Sequence, residues 1–210
     1  MTQGATRAQF LTRAGAVGGG ALAVSFGLDP ALASAATTKG DIAILNYALT
    51  LEYLEAAFYT EAEQMGALSG ELALFAQVVG AHERAHVQAL KQVLGRKAVK
   101  KPRFNFRGTT EDASKFAATA QVLEDTGVAA YKGQAPKLKS TALLEAALAI
   151  HAVEARHAGW IRDINGAPPA PSAFDEPKTK GQVLAAVAKT KFIVPPRRRM
   201  SRETSPSFAG

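Results

Sequence analysis

The chain contains no cysteine among its 210 residues. This absence excludes a disulfide bond, a zinc–thiolate site and a cysteine nucleophile. Aromatic and β-branched runs are also scarce, and much of the apolar content is alanine, which favours helices over strands. The sequence has no glycine-rich phosphate loop and no nucleophile motif. Composition therefore favours a single helical domain of roughly 150 residues with appendages.

Acidic residues are scarce at the C-terminal end, which accounts for most of the net charge of +7. Residues 189–210 contain six basic residues and one acid and contribute +5, whereas residues 1–35 contribute +1. The body between them is nearly balanced, which argues against a nucleic-acid-binding surface there. We expect residues 193–210 to form a disordered basic tail, with at most weak peripheral contact to a membrane or cell wall.

Residues 1–35 resemble an export signal, with a short apolar stretch rich in glycine and alanine that ends in small residues. The segment TRAQFL, residues 6–11, resembles a twin-arginine signal, but Ala8 stands where the second arginine should be. We therefore expect a periplasmic, cell-envelope or extracellular protein, exported by a route that Ala8 leaves open. A disordered N-terminal arm is the alternative. A membrane anchor is disfavoured because the apolar run is short, and later segments are too polar or too interrupted to span a bilayer.

Four long helices and one shorter helix are predicted after this signal. They run from an N-cap at Asp41 to about Met65, from about Ser69 to Leu94, from Thr109 or Thr110 to about Lys132, from about Ser140 to Asn165, and from about Gly181 to Lys191. Short links predict two antiparallel hairpins. The link GRKAVKKPRFNFRGT, at ~3.3 Å per residue, is long enough to travel the length of a bundle. We expect an all-α four-helix bundle over residues 37–192, with a long crossover between the hairpins and a short C-terminal helix.

Glycines and apolar residues predict how these helices end and pack. Glycines follow the four long helices as expected stops, at Gly66, Gly95, Gly133 and Gly166. The short helix is expected to pack on the bundle through an apolar set, Val183, Leu184, Val187 and Phe192. Trp160 is expected to lie in the core.

Two helices carry a glutamate and a histidine at the centre of an apolar stripe. In LAIHAVEARHAGWI, residues 148–161, positions three and four apart place Glu154 and His157 on the apolar face. Glu83 and His86 repeat this pattern in the second helix. Because residues three apart are neighbours on a helix, each pair can converge on one point.

The other two helices each place a glutamate on the matching face, Glu52 in the first and Glu124 in the third. Tyr59 and Tyr131 each follow that glutamate by seven residues, so the two hairpins repeat one pattern. Both tyrosines are candidates for hydrogen-bond donors or redox relays beside the site, or for packing alone. Glu55 is an alternative to Glu52, although the tyrosine spacing favours Glu52.

The four acids and two histidines favour a metal site over a purely structural polar core, which remains the alternative. Burying four ionised carboxylates without compensation would cost several kcal/mol apiece. Two divalent cations would balance the four negative charges. Carboxylate and imidazole ligands suit iron or manganese, so we expect two Fe or Mn ions. His82 and His151 lie off the apolar stripes and are expected on the surface.

The pattern resembles the ferritin-like di-iron and di-manganese carboxylate bundles, over about residues 39–192. It is most similar to the exported ferritin-like branch that includes desiccation-related proteins, through segments such as ILNYALTLEYLEAAFY, AHERAHVQAL and AQVLEDTGVAAYKG. The resemblance implies six metal ligands, Glu52, Glu83, His86, Glu124, Glu154 and His157. It further implies that Glu83 and Glu154 bridge the metals, that the other two glutamates are terminal, and that each histidine binds one metal.

Such a site would take O₂ or peroxide as its small-molecule substrate. The expected outcomes are oxidation of Fe(II), breakdown of peroxide or oxidation of an organic substrate, in stress protection. The sequence lacks a cysteine-based electron-donor module, which disfavours a self-contained peroxide reductase. A loop-rich segment after the fourth helix disfavours a ferritin storage cage, while a smaller oligomer stays open. The alternative is a non-catalytic structural or interaction protein of stress or desiccation whose metals only stabilise the bundle.

Overall fold

The computed structural model describes residues 38–195 and consists mainly of helices. The elements are α1 Lys39–Met65, α2 Gly70–Leu94, β1 Arg103–Phe104, α3 Ala113–Gln134, α4 Thr141–Ile164, α5 Lys180–Thr190 and β2 Ile193–Val194, with 3₁₀ turns at Gly95–Lys97 and Ala135–Lys137. Helix α1 packs most extensively on α2, and α3 on α4. The predicted all-α bundle of two hairpins is therefore confirmed. None of the helices within residues 38–195 is long and apolar enough to cross a membrane.

The N-cap of the first helix lies three residues before the predicted one. Thr38 is the N-cap of α1, and its hydroxyl accepts from the backbone N–H of Asp41, while the Asp41 carboxylate accepts from Thr38 in return. The same carboxylate accepts from the backbone N–H of Lys139, at 2.8 Å. Asp41 was therefore wrongly predicted as a cap, because it instead closes a capping box and ties α1 to the link before α4.

The third helix differs from the prediction at both ends. It begins at Ala113 rather than at Thr109 or Thr110, and Asp112 is its N-cap, accepting from the backbone N–H of Lys115. It also continues through Gly133 to Gln134. Gly133 does not end the helix, since its missing side chain serves a close contact between two segments of backbone.

This contact joins α3 to the segment that leads into α5. A Cβ added to Gly133 would lie 1.9 Å from the carbonyl oxygen of Lys178. The backbone N–H of Lys178 donates to the carbonyl of Ala129, one turn earlier, at 3.0 Å. Glycine is therefore required at residue 133 by packing and not by its backbone dihedral angles.

The short helix α5 packs on the bundle as predicted, with one exception. Val183, Val187 and Phe192 are buried, but Leu184 is 42% exposed, so its predicted packing is wrong. Beyond α5, residues Ile193 and Val194, which we expected in the tail, pair antiparallel with Phe104 and Arg103 of the crossover. Residues 196–210 of the predicted tail and the whole predicted export signal lie outside the described residues.

The apolar core lies on both sides of a polar layer at the middle of the four long helices. One apolar cluster holds most of the aromatic rings, including Phe58 and Phe116, which stack at 5.0 Å between centroids. The other is mainly aliphatic and includes Leu49 and Leu143. Trp160, expected in the core, is only half-buried: it packs edge-on against Phe75 and donates from Nε1 to Glu71. The polar layer is therefore enclosed at both ends.

Gly133→Ala should destabilise the fold by about 1–3 kcal/mol, because a methyl group there must displace the backbone at Lys178. Urea unfolding of the two proteins measures this difference. Gly181→Ala is the matched control, since a Cβ at Gly181 in α5 meets no atom within 4 Å. That variant should be neutral or up to about 1 kcal/mol more stable. Equal behaviour of the two variants would contradict the packing role of Gly133.

Candidate metal centre

Each of the four long helices contributes one fully buried glutamate to the polar layer. Glu52, Glu83, Glu124 and Glu154 are all 0% exposed. The two histidines of the Glu-x-x-His pairs, His86 and His157, are also buried. The structure thus brings together all six residues that the sequence pattern singled out.

The first group of donors surrounds one nitrogen of His86. Its Nδ1 lies 3.3 Å from Glu52 Oε2, 3.3 Å from Glu83 Oε2 and 3.2 Å from Glu154 Oε1. One ring nitrogen carries at most one hydrogen, so it cannot satisfy three carboxylate oxygens. Donors of this kind converging on one point are what a bound cation needs.

The second group repeats this arrangement around His157. Its Nδ1 lies 3.2 Å from Glu83 Oε1, 3.3 Å from Glu124 Oε2 and 3.8 Å from Glu154 Oε2. None of these approaches has the alignment of a hydrogen bond among the residues described. In each group, one atom per residue can be chosen so that all four lie within 4.8 Å of one another.

Glu83 and Glu154 belong to both donor groups and therefore connect them. Each directs one carboxylate oxygen toward His86 and the other toward His157. Glu52 joins only the first group and Glu124 only the second. The geometry is therefore that of two adjacent donor groups with two shared carboxylates, each completed by a lone glutamate and a histidine and each able to hold a cation.

Two tyrosines fix the lone glutamates from the opposite hairpin. The Tyr131 hydroxyl of α3 donates to Glu52 Oε1 of α1 at 2.5 Å. In return, the Tyr59 hydroxyl of α1 donates to Glu124 Oε1 of α3. Each tyrosine occupies the outer oxygen of its glutamate and leaves the inner oxygen directed at a histidine, so these hydrogen bonds orient the donors.

The inner atoms of the polar layer are buried but lack hydrogen-bond partners. Their identity and number show whether bound cations would fit the layer. Within residues 38–195, the atoms without a hydrogen-bond partner include Glu52 Oε2, Glu83 Oε1, Glu124 Oε2, both carboxylate oxygens of Glu154, and His157 Nδ1. A buried polar atom without a partner costs about 1–3 kcal/mol, and more when charged. Two divalent cations would satisfy all of these atoms, and the oxygen and imidazole donors suit Fe or Mn. The residues present therefore fit such ions.

The electrostatics of the layer also favour added positive charge. Burial raises the pKa of Glu83 well above its ordinary value, and the charge of Glu154 raises it further. Burial likewise raises the pKa of Glu124, to about 7. Burial alone would lower the pKa of His157, but the carboxylates that surround its ring, that of Glu124 first, raise it to about 12. Without cations, the layer therefore holds protons in their place.

Glu55 is a fifth buried carboxylate at the edge of this layer. It is 3% exposed, and burial together with the charge of Glu154 raises its pKa well above the ordinary value. It belongs to neither donor group, whereas Glu52 belongs to the first. A Cβ added to Gly127 would lie 3.3 Å from both Glu55 Oε1 and Glu154 Oε2, so this glycine of α3 leaves room for the two side chains.

His82, expected on the surface, is instead half-buried against the second donor group. Its ring stacks on His157 with centroids 5.1 Å apart, and its Nδ1 lies 2.9 Å from His157 Nε2. One of these two nitrogens carries the shared hydrogen, which fixes the orientation of the His157 ring. His151 is also half-buried, but it belongs to neither group. The sequence missed His82 because its partner is 75 residues away, on another helix.

The comparison with known proteins agrees with this architecture. The chain matches the Ferritin-like domain family over residues 40–167, more than half of its length. No match to a curated protein was found. The matched region contains the four long helices, except for Lys39, and all six residues of the two donor groups. By fold and by sequence, the chain therefore belongs to the ferritin-like domain family.

Proposed function

We propose that this protein holds a dinuclear Fe or Mn centre and uses it to oxidise Fe(II) or to consume O₂ or peroxide in stress protection. One observation carries the proposal: two buried nitrogen–oxygen donor groups share Glu83 and Glu154. A purely structural polar core would pair its donors with acceptors, whereas the inner atoms here lack such partners among the described residues.

Six residues would hold the two ions. Glu52 and His86 would complete one position, Glu124 and His157 the other, and Glu83 and Glu154 would bridge them. A bound pair of such ions supplies redox chemistry with O₂ or peroxide. The four carboxylates balance the charge of two divalent cations and favour a higher oxidation state, while the apolar clusters on both sides limit the access of water.

Three residues outside the donor groups contribute positioning. Tyr59 and Tyr131 hold the outer oxygens of the lone glutamates, so the inner oxygens need no reorganisation when a cation binds. His82 holds the ring of His157 in the same way. When Fe(II) is the substrate, the oxidant O₂ or peroxide accepts the electrons that it releases.

Export and peripheral attachment are further parts of the proposal and are supported by sequence alone. Residues 1–35 have the composition of an export signal, and the absence of cysteine means that folding in any compartment needs no disulfide bond. The run Arg197-Arg198-Arg199 would interact with anionic lipid or wall polymer, an attraction that salt should weaken.

The proposed function predicts that each chain binds about two Fe or Mn ions. It also predicts that the protein consumes O₂ or peroxide only when metal is bound. Purified protein should be saturated with Fe(II) or Mn(II) without oxygen and analysed for metal content. Fe(II)-loaded protein should then consume O₂ or peroxide at a rate above that of Fe(II) in buffer. Retention of two ions without turnover would show that the metals only stabilise the bundle. Absence of bound metal, or a single zinc per chain, would contradict the dinuclear centre itself.

Substitution of a shared carboxylate should affect both ions, because it touches both positions. Glu154→Gln should lower the affinity for both ions by more than about 100-fold. Glu52→Gln should remove mainly one ion, since Glu52 belongs to one group. Equilibrium metal titration measures both effects. Glu145→Gln, at an exposed position of the same helix as Glu154, is the matched control and should bind two ions normally.

The histidines outside the donor groups provide a second comparison. His82→Ala should retain both ions and weaken mainly the one beside His157, by roughly 10–100-fold, because it loses an orienting contact and not a ligand. His151→Ala should leave both affinities unchanged. Complete loss of metal from either variant in the same titration would show that the ligand set is assigned wrongly.

Stability should depend on pH in metal-free protein and much less in metal-loaded protein. In the metal-free fold, His86 and His157 have raised pKa values, the latter about 12, because carboxylates surround them. Between pH 7 and 9 the unfolded state therefore binds fewer protons than the folded state. Stability should fall as pH rises, by about 1.4 kcal/mol per pH unit for each proton involved.

Bound cations should largely remove this slope, because the metal ligands have lost their protons and the same groups are also mostly deprotonated in the unfolded chain over this interval. The stability of metal-loaded protein should therefore change little between pH 7 and 9. Thermal unfolding with and without Mn(II) measures the two slopes. Parallel slopes would contradict a site in which cations replace protons.

A further inference from the structure

The bundle contains a cavity of about 280 Å³ beside one half of the polar layer. Its wall is almost entirely apolar and includes Leu45, Leu90 and Ile150. It lies at the aliphatic end of the bundle and reaches His86 of the first donor group and Tyr131, which orients Glu52. A molecule in this cavity would therefore lie next to the candidate metal centre.

The cavity exists because the helices around it present alanine. Ala85 and Ala89 of α2 and Ala146 and Ala149 of α4 are among its wall residues. Larger side chains at these positions would fill the space, as the aromatic rings do at the other end of the bundle. A concave and almost entirely apolar site of this size is of the kind that binds small molecules.

The two halves of the polar layer differ in how they are covered. His157 is covered by the ring of His82, the residue that precedes Glu83. The corresponding residue of the other pair, which precedes Glu154, is Val153, and it lines the cavity. The half that contains His86 therefore borders an apolar space where the other half borders a second imidazole.

The cavity also has one polar side chain that lacks a partner. The Tyr47 hydroxyl is buried and makes no hydrogen bond with any residue that the structure describes, although the ring lines the cavity. Tyr47 itself is 6% exposed. Burial, with the nearby charge of Glu55, raises its pKa, so the hydroxyl remains a neutral donor. An uncharged acceptor in a ligand would satisfy it.

Size and polarity limit the class of ligand. An engineered apolar cavity of roughly 150 Å³ binds benzene, so the present cavity suits a molecule about twice that size, with about ten non-hydrogen atoms. A charged ligand would lose its hydration without a partner in the apolar wall. A compact apolar body with a single carbonyl or hydroxyl oxygen is therefore the best match.

We propose that this cavity binds a small, uncharged, mainly apolar molecule, with its oxygen accepting a hydrogen bond from Tyr47 and its body extending toward His86. The bound molecule would lie beside the metal centre as an organic substrate or effector, and this role rests on the proposed function. Binding itself depends on the cavity alone.

Calorimetric titration of metal-free protein with 2-octanone and with acetophenone tests the binding. The two probes share the carbonyl and the approximate size but differ in shape, so a preference separates an aliphatic from an aromatic ligand. We expect saturable binding of at least one probe at one site per chain. Failure of both probes to bind would overturn the proposal.

Variants locate the bound molecule. Ala146→Leu fills the wall and should weaken binding at least tenfold, whereas Ala152→Leu, at an exposed position of the same helix, should not change it. Ala89→Leu provides a second filling variant on α2 if the first does not fold. Tyr47→Phe should weaken binding of the ketone roughly three- to tenfold and leave the affinity for ethylbenzene, which has no acceptor, unchanged. Undiminished binding to folded filling variants would place the probes elsewhere and overturn the proposal.

Metal-loaded protein tests the link to the candidate centre separately. Addition of the bound ketone to Co(II)-loaded protein should change the visible spectrum of the metal, and Ala146→Leu should abolish that change. Binding without a spectral change would overturn the link but keep the cavity as a binding site. Because the first titration uses metal-free protein, failure of the chain to take up metal would be seen independently of the result for the cavity.

Discussion

The energetic constraint that dominates this structure is the burial of five carboxylates beside two imidazoles at the centre of an apolar bundle. Charges taken out of water are stable only when opposite charge and hydrogen bonds replace the lost hydration. The tyrosines satisfy the outer oxygens of Glu52 and Glu124, and the inner atoms are left directed at two common points. The long helices position these groups, and the apolar clusters on either side keep the layer dry.

The repeat in sequence between the two hairpins becomes an approximate two-fold relation in space. Glu83 and Glu154 lie at its centre, and each hairpin supplies the tyrosine that orients the glutamate of the other. Neither hairpin alone can form either donor group, because each group needs residues from both. Formation of the site is thereby coupled to docking of the hairpins, which metal binding would stabilise.

The two donor groups differ more in the residues that surround them than in the geometry of their donor atoms. Both donor groups contain three glutamates and one histidine, but His82 covers one group and an apolar cavity borders the other. The same set of metal-binding residue types can thus have different surroundings. Such differences let proteins of one fold carry out different chemistry. Membership of the ferritin-like domain family accords with the bundle.

Helical periodicity is a local property, so the sequence alone determined the helices, the hairpins and the glutamates and histidines on their inner faces. The exchange of tyrosine hydrogen bonds, the contact of His82 with His157 and the choice between Glu52 and Glu55 depended on the rotation and spacing of packed helices. The same holds for Gly133 and for the cavity, because a close backbone approach or an unfilled space exists only between elements distant in sequence. Local pattern therefore specified which side chains point inward, and tertiary packing decided which of them meet.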